Sequence, residues 1–221
     1  MLMSHFFHIE GTDIFYREEN PDGIVTLFLL HGNSSSHHCW DTLIKNEALK
    51  TYRIIAFDLP AHGQSGTGGS YSLKHTGAVM AKVVSALTND KPYVLAGVSL
   101  GTNVIAEMLN SNTIDPVGIA LIGSCIVGGN IKIEDIALPG TKIGVCFADS
   151  PSGQDIAELF KQGVFNLNDT LLSALIADFG QVKDSFRSKL SAALADGQYS
   201  NEIELLNQKE NPLLFCDLRS H

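Results

Sequence analysis

The sequence has few basic residues: 15 Lys and Arg stand against 24 Asp and Glu, which gives a formal net charge of −9. Nucleic acids and anionic membranes attract cations, so this balance argues against both as partners. Long apolar runs are also missing, since none approaches the ~20 residues that a transmembrane helix needs. The N-terminal stretch MLMSHFFHIEG lacks the basic start and the long apolar core of a signal peptide. We therefore expect a cytoplasmic protein that binds neither nucleic acid nor membrane.

Motifs for metal and phosphate binding are absent as well. The four cysteines are scattered, follow no metal-ligand spacing and lie in or beside apolar runs, where a free thiol behaves as a small hydrophobe: Cys39, Cys125, Cys146 and Cys216. The chain contains no His-Glu-x-x-His, no Cys-x-x-Cys and no Gly-x-x-x-x-Gly-Lys. We expect no metal and no other cofactor.

Length and composition are those of a globular enzyme. The chain of 221 residues is 44% hydrophobic and 18% charged, which is enough for one domain, or one domain with an insertion, around a sizeable core. A hairpin is predicted at residues 5–17. After it, apolar runs typical of strands alternate with segments whose apolar residues recur at helical spacing. Strands are predicted at 24–30, 52–57, 93–96 and 117–122, and helices weakly at 40–49 and more clearly at 74–87 and 102–109.

This alternation predicts a parallel sheet with right-handed crossovers, because its strands are apolar on both faces. Turn-rich loops with small or polar residues follow the strands: HGNSSS at 31–36, DLPAHGQS at 58–65, GVSLG at 97–101 and GSCIVGG at 123–129. Ligands of such sheets bind at the carboxyl ends of the strands. We expect these four loops to converge on one site.

The predicted alternation of strands and helices stops near residue 130. Amphipathic helices are predicted at 155–163, 169–179 and 183–194 with no strand between them, and 212–216 looks like a returning strand. We predict a core at 1–129, a helical cap at 130–207, and the start of a returning core strand at 208–221. The alternative is that these helices simply pack on the sheet.

The stretch from Lys91 to Ala106 carries the strongest chemical signal. The run Tyr93 to Ala96 leads through Gly97-Val98-Ser99-Leu100-Gly101 into a helix, which is the strand–turn–helix setting of a nucleophile elbow. The two glycines would let strand and helix pass close together. Ser99 would take the strained corner, with its hydroxyl beside the first N–H groups of the helix.

His31-Gly32-Asn33 after a strand, DLPAHGQS and GVSLG, in this order and spacing, resemble the α/β-hydrolase superfamily. The HGNSSS form and the ending YSNEIELLNQKENPLLF are similar to small members that include N-acyl-homoserine lactonases and esterases. The resemblance extends over essentially the whole chain. It implies an α/β fold with a mostly parallel, doubly wound sheet and a helical cap, and a serine hydrolase without a cofactor.

The resemblance also implies roles for single residues. Ser99 would attack a carbonyl, and the N–H of Leu100 and an N–H of the Gly32–Ser34 segment, with Asn33 lining it, would form the oxyanion hole. His31 and Gly32 would shape the turn, and Asp58 and His62 would brace their loop. The tentative pocket residues are Ser34, His37 and His38, with the two histidines at the pocket mouth rather than acting as the base.

The family pattern breaks at the C-terminus. An activated serine needs a base and a group that orients the base, and the family order is serine, acid, histidine. After the strand at 212–216 the sequence reads only Asp217-Leu218-Arg219-Ser220-His221. Asp217 and His221 are too close in sequence to place both groups beside Ser99. We therefore expect a C-terminally truncated hydrolase that lacks its last strands and helix, exposes a sheet edge, and turns over poorly.

Several functions stay open on the sequence. The leading prediction is hydrolysis of an ester or lactone of a small, partly apolar acyl substrate. The alternatives are a non-catalytic homologue that binds a small ligand or a partner protein, a fragment without a function of its own, and a C–C bond hydrolase or cofactor-free haloperoxidase. A dehalogenase or epoxide hydrolase is disfavoured, because those relatives place aspartate at the elbow.

Overall fold

The protein is an α/β structure around one seven-stranded sheet. The computed structural model describes residues 3–136 and 139–216. The strands, in chain order, are β1 (Met3–Ile9), β2 (Thr12–Glu19), β3 (Thr26–Leu30), β4 (Arg53–Phe57), β5 (Tyr93–Val98), β6 (Gly118–Ile122) and β7 (Leu213–Cys216). Their order across the sheet is β1-β2-β4-β3-β5-β6-β7. Strands β4, β3, β5, β6 and β7 are parallel, whereas β1 and β2 pair antiparallel at one side.

The helices, in chain order, are α1 (Asp41–Ile44), α2 (Leu73–Leu87), α3 (Leu100–Met108), α4 (Ile133–Ile136), α5 (Gly153–Gly163), α6 (Asp169–Gly180), α7 (Phe186–Ala195) and α8 (Glu202–Asn207). Short 3₁₀ helices cover His37–Trp40, Glu47–Leu49 and Ile143–Phe147. None of the described helices combines the length and the hydropathy needed to cross a bilayer.

The core lies between the sheet and helices α2 and α3. Every residue of β4 is buried, and so is every residue of α3. The apolar runs that predicted central strands therefore do have both faces covered. Helix α2 begins where expected because the Ser72 side chain accepts a hydrogen bond from the His75 N–H, a typical N-cap.

Residues 130–207, called the cap segment below, contribute helices and no named strand between β6 and β7. Helix α8 packs on α3 of the core, and α7 contacts both α2 and the 3₁₀ helix at Ile143–Phe147. The sequence predicted no helix at α4 or α8. The boundaries of a separate cap domain stay a prediction.

Helix α7 starts later than its periodicity suggested. The prediction began at Lys183, whereas the helix begins at Phe186 after Ser185, which has a left-handed backbone. Lys183 instead donates its backbone N–H to the carbonyl of Ala61, and its ammonium group to the carbonyls of Gly63 and Ser65. A tertiary contact with the loop after β4 has overridden the local helical pattern.

Strand β7 ends the sheet in the described part of the chain, and it is partly exposed. Leu214 is 59% exposed and Phe215 is 58% exposed. Asp217 and His221, the acid and histidine considered above, lie outside the described residues.

Candidate active site

Ser99 forms the corner between β5 and α3. Its backbone has φ +51° and ψ −121°, a left-handed conformation that costs a non-glycine residue of order 1–3 kcal/mol. A Cβ added to Gly97 would lie 2.7 Å from the backbone of Gly101, and one added to Gly101 would lie 2.4 Å from the carbonyl oxygen of Leu30. Close packing of strand and helix therefore holds the corner, and the predicted reason for the two glycines is confirmed.

The Ser99 hydroxyl faces the loop after β3. A Cβ built on Gly32 would lie 3.7 Å from Ser99 Oγ and 3.1 Å from Ser99 Cβ. Glycine at position 32 thus leaves room between that loop and the serine. On another side the hydroxyl lies 3.7 Å from Sγ of Cys125, in the loop after β6. The sequence predicted the first of these neighbours and not the second.

Of the predicted oxyanion donors, three backbone N–H groups have no hydrogen-bond acceptor among the described residues. One belongs to Leu100, the first residue of α3, where helix geometry leaves the N–H free and the helix dipole favours negative charge. The other two belong to Gly32 and Asn33. The Ser34 N–H is different, because it donates to Nε2 of His62 at 3.1 Å. Within the predicted 32–34 segment, the Ser34 amide is therefore already occupied.

A cavity of about 630 Å³, its open mouth included, adjoins Ser99. Its walls come from the core and from the cap segment. The lining is almost wholly apolar and, over the described residues, carries no charged side chain: Asn33, Leu73, Ser99, Leu100, Asn103, Cys125, Ile136, Ile143, Cys146, Phe147, Leu190 and Leu194. Such a surface suits an uncharged, flexible hydrocarbon group.

Sequence patterns did not predict that Thr102 and Asn103 of α3 shape this cavity. Asn103, two residues beyond the elbow motif, donates from Nδ2 to the carbonyl of Cys125 at 2.8 Å. Thr102 Oγ1 accepts from the Cys125 N–H at 3.2 Å and donates to the carbonyl of Ser99 at 2.6 Å. These bonds fix the loop after β6 against α3 and place the Cys125 thiol opposite the serine. No local pattern signals them, because Thr102 and Asn103 occupy ordinary helical positions.

No histidine or carboxylate of the described residues forms a hydrogen bond with Ser99 Oγ. Its described side-chain partner is the Cys125 thiol, and burial raises the pKa of that thiol although the contact with Ser99 lowers it slightly. A buried neutral thiol is a poor proton acceptor. The described part of the chain also contains no cluster of three His, Cys, Asp or Glu side chains placed to hold a metal ion.

Comparison with known proteins agrees with this geometry. A family model of the alpha/beta hydrolase fold matches residues 25–124, which run from β3 to the end of β6. A crystal structure of the N-acyl homoserine lactonase AidH in complex with N-hexanoyl homoserine superposes with a TM-score of 0.81, at 22% identity, over 98% of this chain and 78% of that one. The chain has the α/β-hydrolase fold.

The curated relatives that match this chain are distant. An AB hydrolase superfamily protein of Gibberella zeae is 25% identical over 142 residues, which are 63% of this chain and 50% of that protein. The bifunctional esterase/perhydrolase DCH of Acinetobacter calcoaceticus is 28% identical over 126 residues, 57% of this chain and 45% of that protein. The match thus spans about half the length of these two relatives.

A buried histidine–aspartate network lies behind the Ser99 site. His31 Nε2 accepts from the Leu59 N–H at 2.9 Å, and His62 Nε2 accepts from the Ser34 N–H at 3.1 Å while His62 Nδ1 contacts the Pro60 carbonyl. Burial lowers the pKa of His31, and it lowers that of His62 to about 3. Both rings are therefore neutral braces between loops. The prediction that His62 is structural is confirmed.

Asp58 completes this network. Its carboxylate accepts hydrogen bonds from the backbone N–H groups of His37 at 2.7 Å and Gln64 at 2.8 Å, and it contacts Nδ1 of His37 at 2.8 Å. Burial by itself raises the pKa of Asp58, but the hydrogen bonds from His37 and from the Gln64 N–H lower it overall. The predicted bracing role of Asp58 is confirmed.

The three tentative pocket residues, Ser34, His37 and His38, do not line the cavity beside Ser99. His37 is buried against Asp58, and His38 is exposed with its ring beside Asp41. Ser34 is buried behind the loop, where its hydroxyl contacts Asn33 and Arg187. These three residues lie in the segment that follows β3, close to the site. Their side chains pack against other residues or face solvent instead of the cavity.

Glu202 is a buried carboxyl behind the cavity wall that the sequence did not single out. Its Oε2 accepts from the Asn103 side chain at 2.7 Å and from the Val127 N–H at 2.9 Å, whereas Oε1 has no partner among the described residues. Burial raises its pKa to about 8, and the bonds from Val127 and Asn103 offset this only in part. At neutral pH it is largely protonated, so it braces Asn103 without placing a full charge near the cavity.

Proposed function

We propose that this α/β-hydrolase is a serine hydrolase that acts on an ester or lactone of a small, uncharged acyl substrate, with Ser99 as the nucleophile. The observation that carries the proposal is the strained Ser99 corner, which turns a hydroxyl toward the Gly32–Asn33 loop at the end of an apolar cavity. Strain at an exposed hydroxyl is typical of nucleophile elbows.

In the proposed reaction, Ser99 Oγ attacks the substrate carbonyl carbon and the carbonyl oxygen becomes an oxyanion. The N–H groups of Leu100 and Asn33 would donate to that oxyanion, since neither has an acceptor in the described structure. The alcohol leaves with the proton taken from Ser99, and water then releases the acid from the acyl-enzyme. The acyl chain would lie along Leu190, Leu194 and Phe147.

The rate of this reaction depends on a base that the described residues do not supply. A serine hydroxyl is a weak nucleophile until its proton is removed, and removal of one triad member costs several orders of magnitude in kcat. We therefore expect slow acylation of Ser99 in this chain. The lactonase and esterase named above support the substrate class as similar proteins, not as identical ones.

The test is covalent labelling with a fluorophosphonate probe, followed by intact-mass analysis. We expect slow addition of one probe molecule to the wild-type chain and none to Ser99→Ala. The matched control Ser35→Ala changes a neighbouring serine of the loop after β3 and should label as wild type does. A wild-type chain that stays unlabelled, or a Ser99→Ala chain that labels equally, refutes the proposal.

A second candidate is a ligand-binding homologue without turnover. It is favoured by one observation: the described side-chain partner of Ser99 Oγ is the neutral thiol of Cys125 and not a base. Calorimetric titration with N-hexanoyl homoserine lactone separates the two. Binding without hydrolysis, retained in Ser99→Ala and lost when Leu190→Glu charges the cavity wall, supports this candidate, and hydrolysis of the lactone excludes it.

A further inference from the structure

Three hydrogen bonds tie the loop after β3 to the cap segment. Asn33 Nδ2 donates to the carbonyl of Cys146 at 2.8 Å, and Ser36 Oγ donates to Asp178 Oδ2 at 2.6 Å. Between them, Arg187 Nε of helix α7 donates to Ser34 Oγ at 2.8 Å. The loop that borders Ser99 is therefore held from the cap segment at three of its residues, Asn33, Ser34 and Ser36.

Arg187 is unusual among these contacts because it is a buried cation. It is 5% exposed, and no carboxylate of the described residues forms an ion pair with it. Its guanidinium group lies 3.8 Å from the centre of the Phe179 ring and also donates to the Phe179 carbonyl. Burial of an arginine is costly unless its donors are used, so the bond to Ser34 is a necessary part of its environment.

The donors and acceptors around Ser34 allow a single arrangement. A guanidinium group only donates, so Ser34 Oγ accepts from Arg187 and must direct its own hydrogen elsewhere. That hydrogen points at Asn33 Oδ1, 2.8 Å away. The Asn33 amide is thereby oriented with its oxygen toward Ser34 and its nitrogen toward the Cys146 carbonyl. The relay runs from Arg187 through Ser34 and Asn33 to Cys146, and its bonds polarise one another.

We propose that Arg187 is a positioning residue that fixes Asn33 beside Ser99 through the Ser34 hydroxyl. The orientation of the loop that carries the proposed oxyanion donor is then set by helix α7, 153 residues further along the chain. The same helix supplies Leu190 and Leu194 to the cavity wall. Helix α7 therefore lines the proposed acyl-chain site and also orients the loop that carries the proposed oxyanion donor. The importance of Arg187 for catalysis rests on the proposed function. The hydrogen bonds of the relay do not depend on that function.

The relay is tested by hydrogen exchange of the Asn33 side-chain amide, observed by NMR and assigned by its loss in Asn33→Asp. In the wild-type chain we expect slow exchange. In Ser34→Ala and Arg187→Met we expect exchange about tenfold faster, which corresponds to the loss of ~1.4 kcal/mol of hydrogen bonding. The matched control Ser191→Ala removes a hydroxyl from α7 that makes no hydrogen bond in the described structure, and it should leave the exchange rate unchanged.

Ser34→Ala keeps the proposal falsifiable should Arg187→Met misfold, because Arg187 retains its contacts with Phe179 in that variant. Asn33 exchange at the wild-type rate in a folded Ser34→Ala chain overturns the relay. The second measurement is fluorophosphonate labelling of Ser99, expected to slow about tenfold in both variants. Faster exchange with unchanged labelling overturns the positioning role. A wild-type chain that never labels refutes the proposed function, and the exchange rates still decide the relay.

Discussion

At the scale of single residues, Ser99 combines a reactive group with an unfavourable backbone. Its positive φ is retained because Gly97 and Gly101 pack against backbone atoms on either side. The cost of that conformation is a property of the folded state, and removal of the Cβ relieves it. Glycine also loses more entropy on folding, which offsets part of the gain.

We therefore predict that Ser99→Gly is more stable than Ser99→Ala by about 1 kcal/mol, although both lack the nucleophile. Alanine keeps the strained Cβ, so it is the matched control. Thermal unfolding followed by circular dichroism measures the difference. A Ser99→Gly chain that melts below Ser99→Ala would show that the corner is not strained.

At the scale of elements, the close approach of β5, β3 and α3 is what builds the corner. The carbonyl oxygen of Leu30 occupies the space where a Cβ at Gly101 would be, at 2.4 Å. Backbone atoms cannot yield as a flexible side chain can. The strand and the helix would have to separate to admit a methyl group.

Gly101→Ala should therefore lower the free energy of unfolding by about 3 kcal/mol or more, measured by urea denaturation. Gly153→Ala is the control, because a Cβ at the start of α5 would meet no atom within 4 Å. That variant should be neutral or slightly stabilising, since alanine favours a helix. A Gly101→Ala chain as stable as Gly153→Ala would contradict the packing described here.

At the scale of the whole molecule, buried titratable groups make stability depend on pH. His31 and His62 are neutral in the fold because burial lowers the pKa of each ring, to about 3 for His62. In the unfolded chain their pKa is ~6.5. Between these values the unfolded chain binds protons that the folded chain does not, so stability falls as the pH falls below ~6.5.

From pH 7 to 5.5 we predict that His62 costs about 1 kcal/mol of unfolding free energy, measured by urea denaturation, and that His31 acts in the same direction. His62→Gln should be less stable at pH 7 but should lose about 1 kcal/mol less than wild type over this interval. Phe186→Leu is the control, since that ring packs edge-on against His62 and does not titrate. It should lower stability equally at both pH values. A His62→Gln chain with the wild-type pH slope would contradict this assignment.

Glu202 acts on stability with the opposite sign. Its pKa of about 8 in the fold lies above the ordinary value of a carboxyl group. Between pH 4.5 and about 8 the folded chain therefore holds a proton that the unfolded chain releases, so this contribution falls over that interval and is gone above it. Below pH ~6.5 the histidines and Glu202 act in opposite directions, and from ~6.5 to 8 the loss from Glu202 lowers stability as the pH rises.

The sequence by itself determined the chain order of the core strands and of helices α2 and α3, together with the Ser99 corner. Both are encoded locally: apolar runs and 3.6-residue periodicity define β5 and α3, and glycines at 97 and 101 define the turn between them. The family resemblance followed from the same local motifs. Where a tertiary bond competed with local pattern, as at Lys183, the sequence prediction of the helix start was wrong.

Only the tertiary structure decided which side chains surround the serine. Ser34 and His37 follow the right motif, yet they turn away from the cavity, while Cys125, Cys146 and Asn103 line it without any motif. These contacts join residues far apart in the chain, and each depends on how the loops after the strands pack on the cap segment. Local periodicity cannot specify such packing, because the same helix pattern is compatible with many placements of its individual side chains.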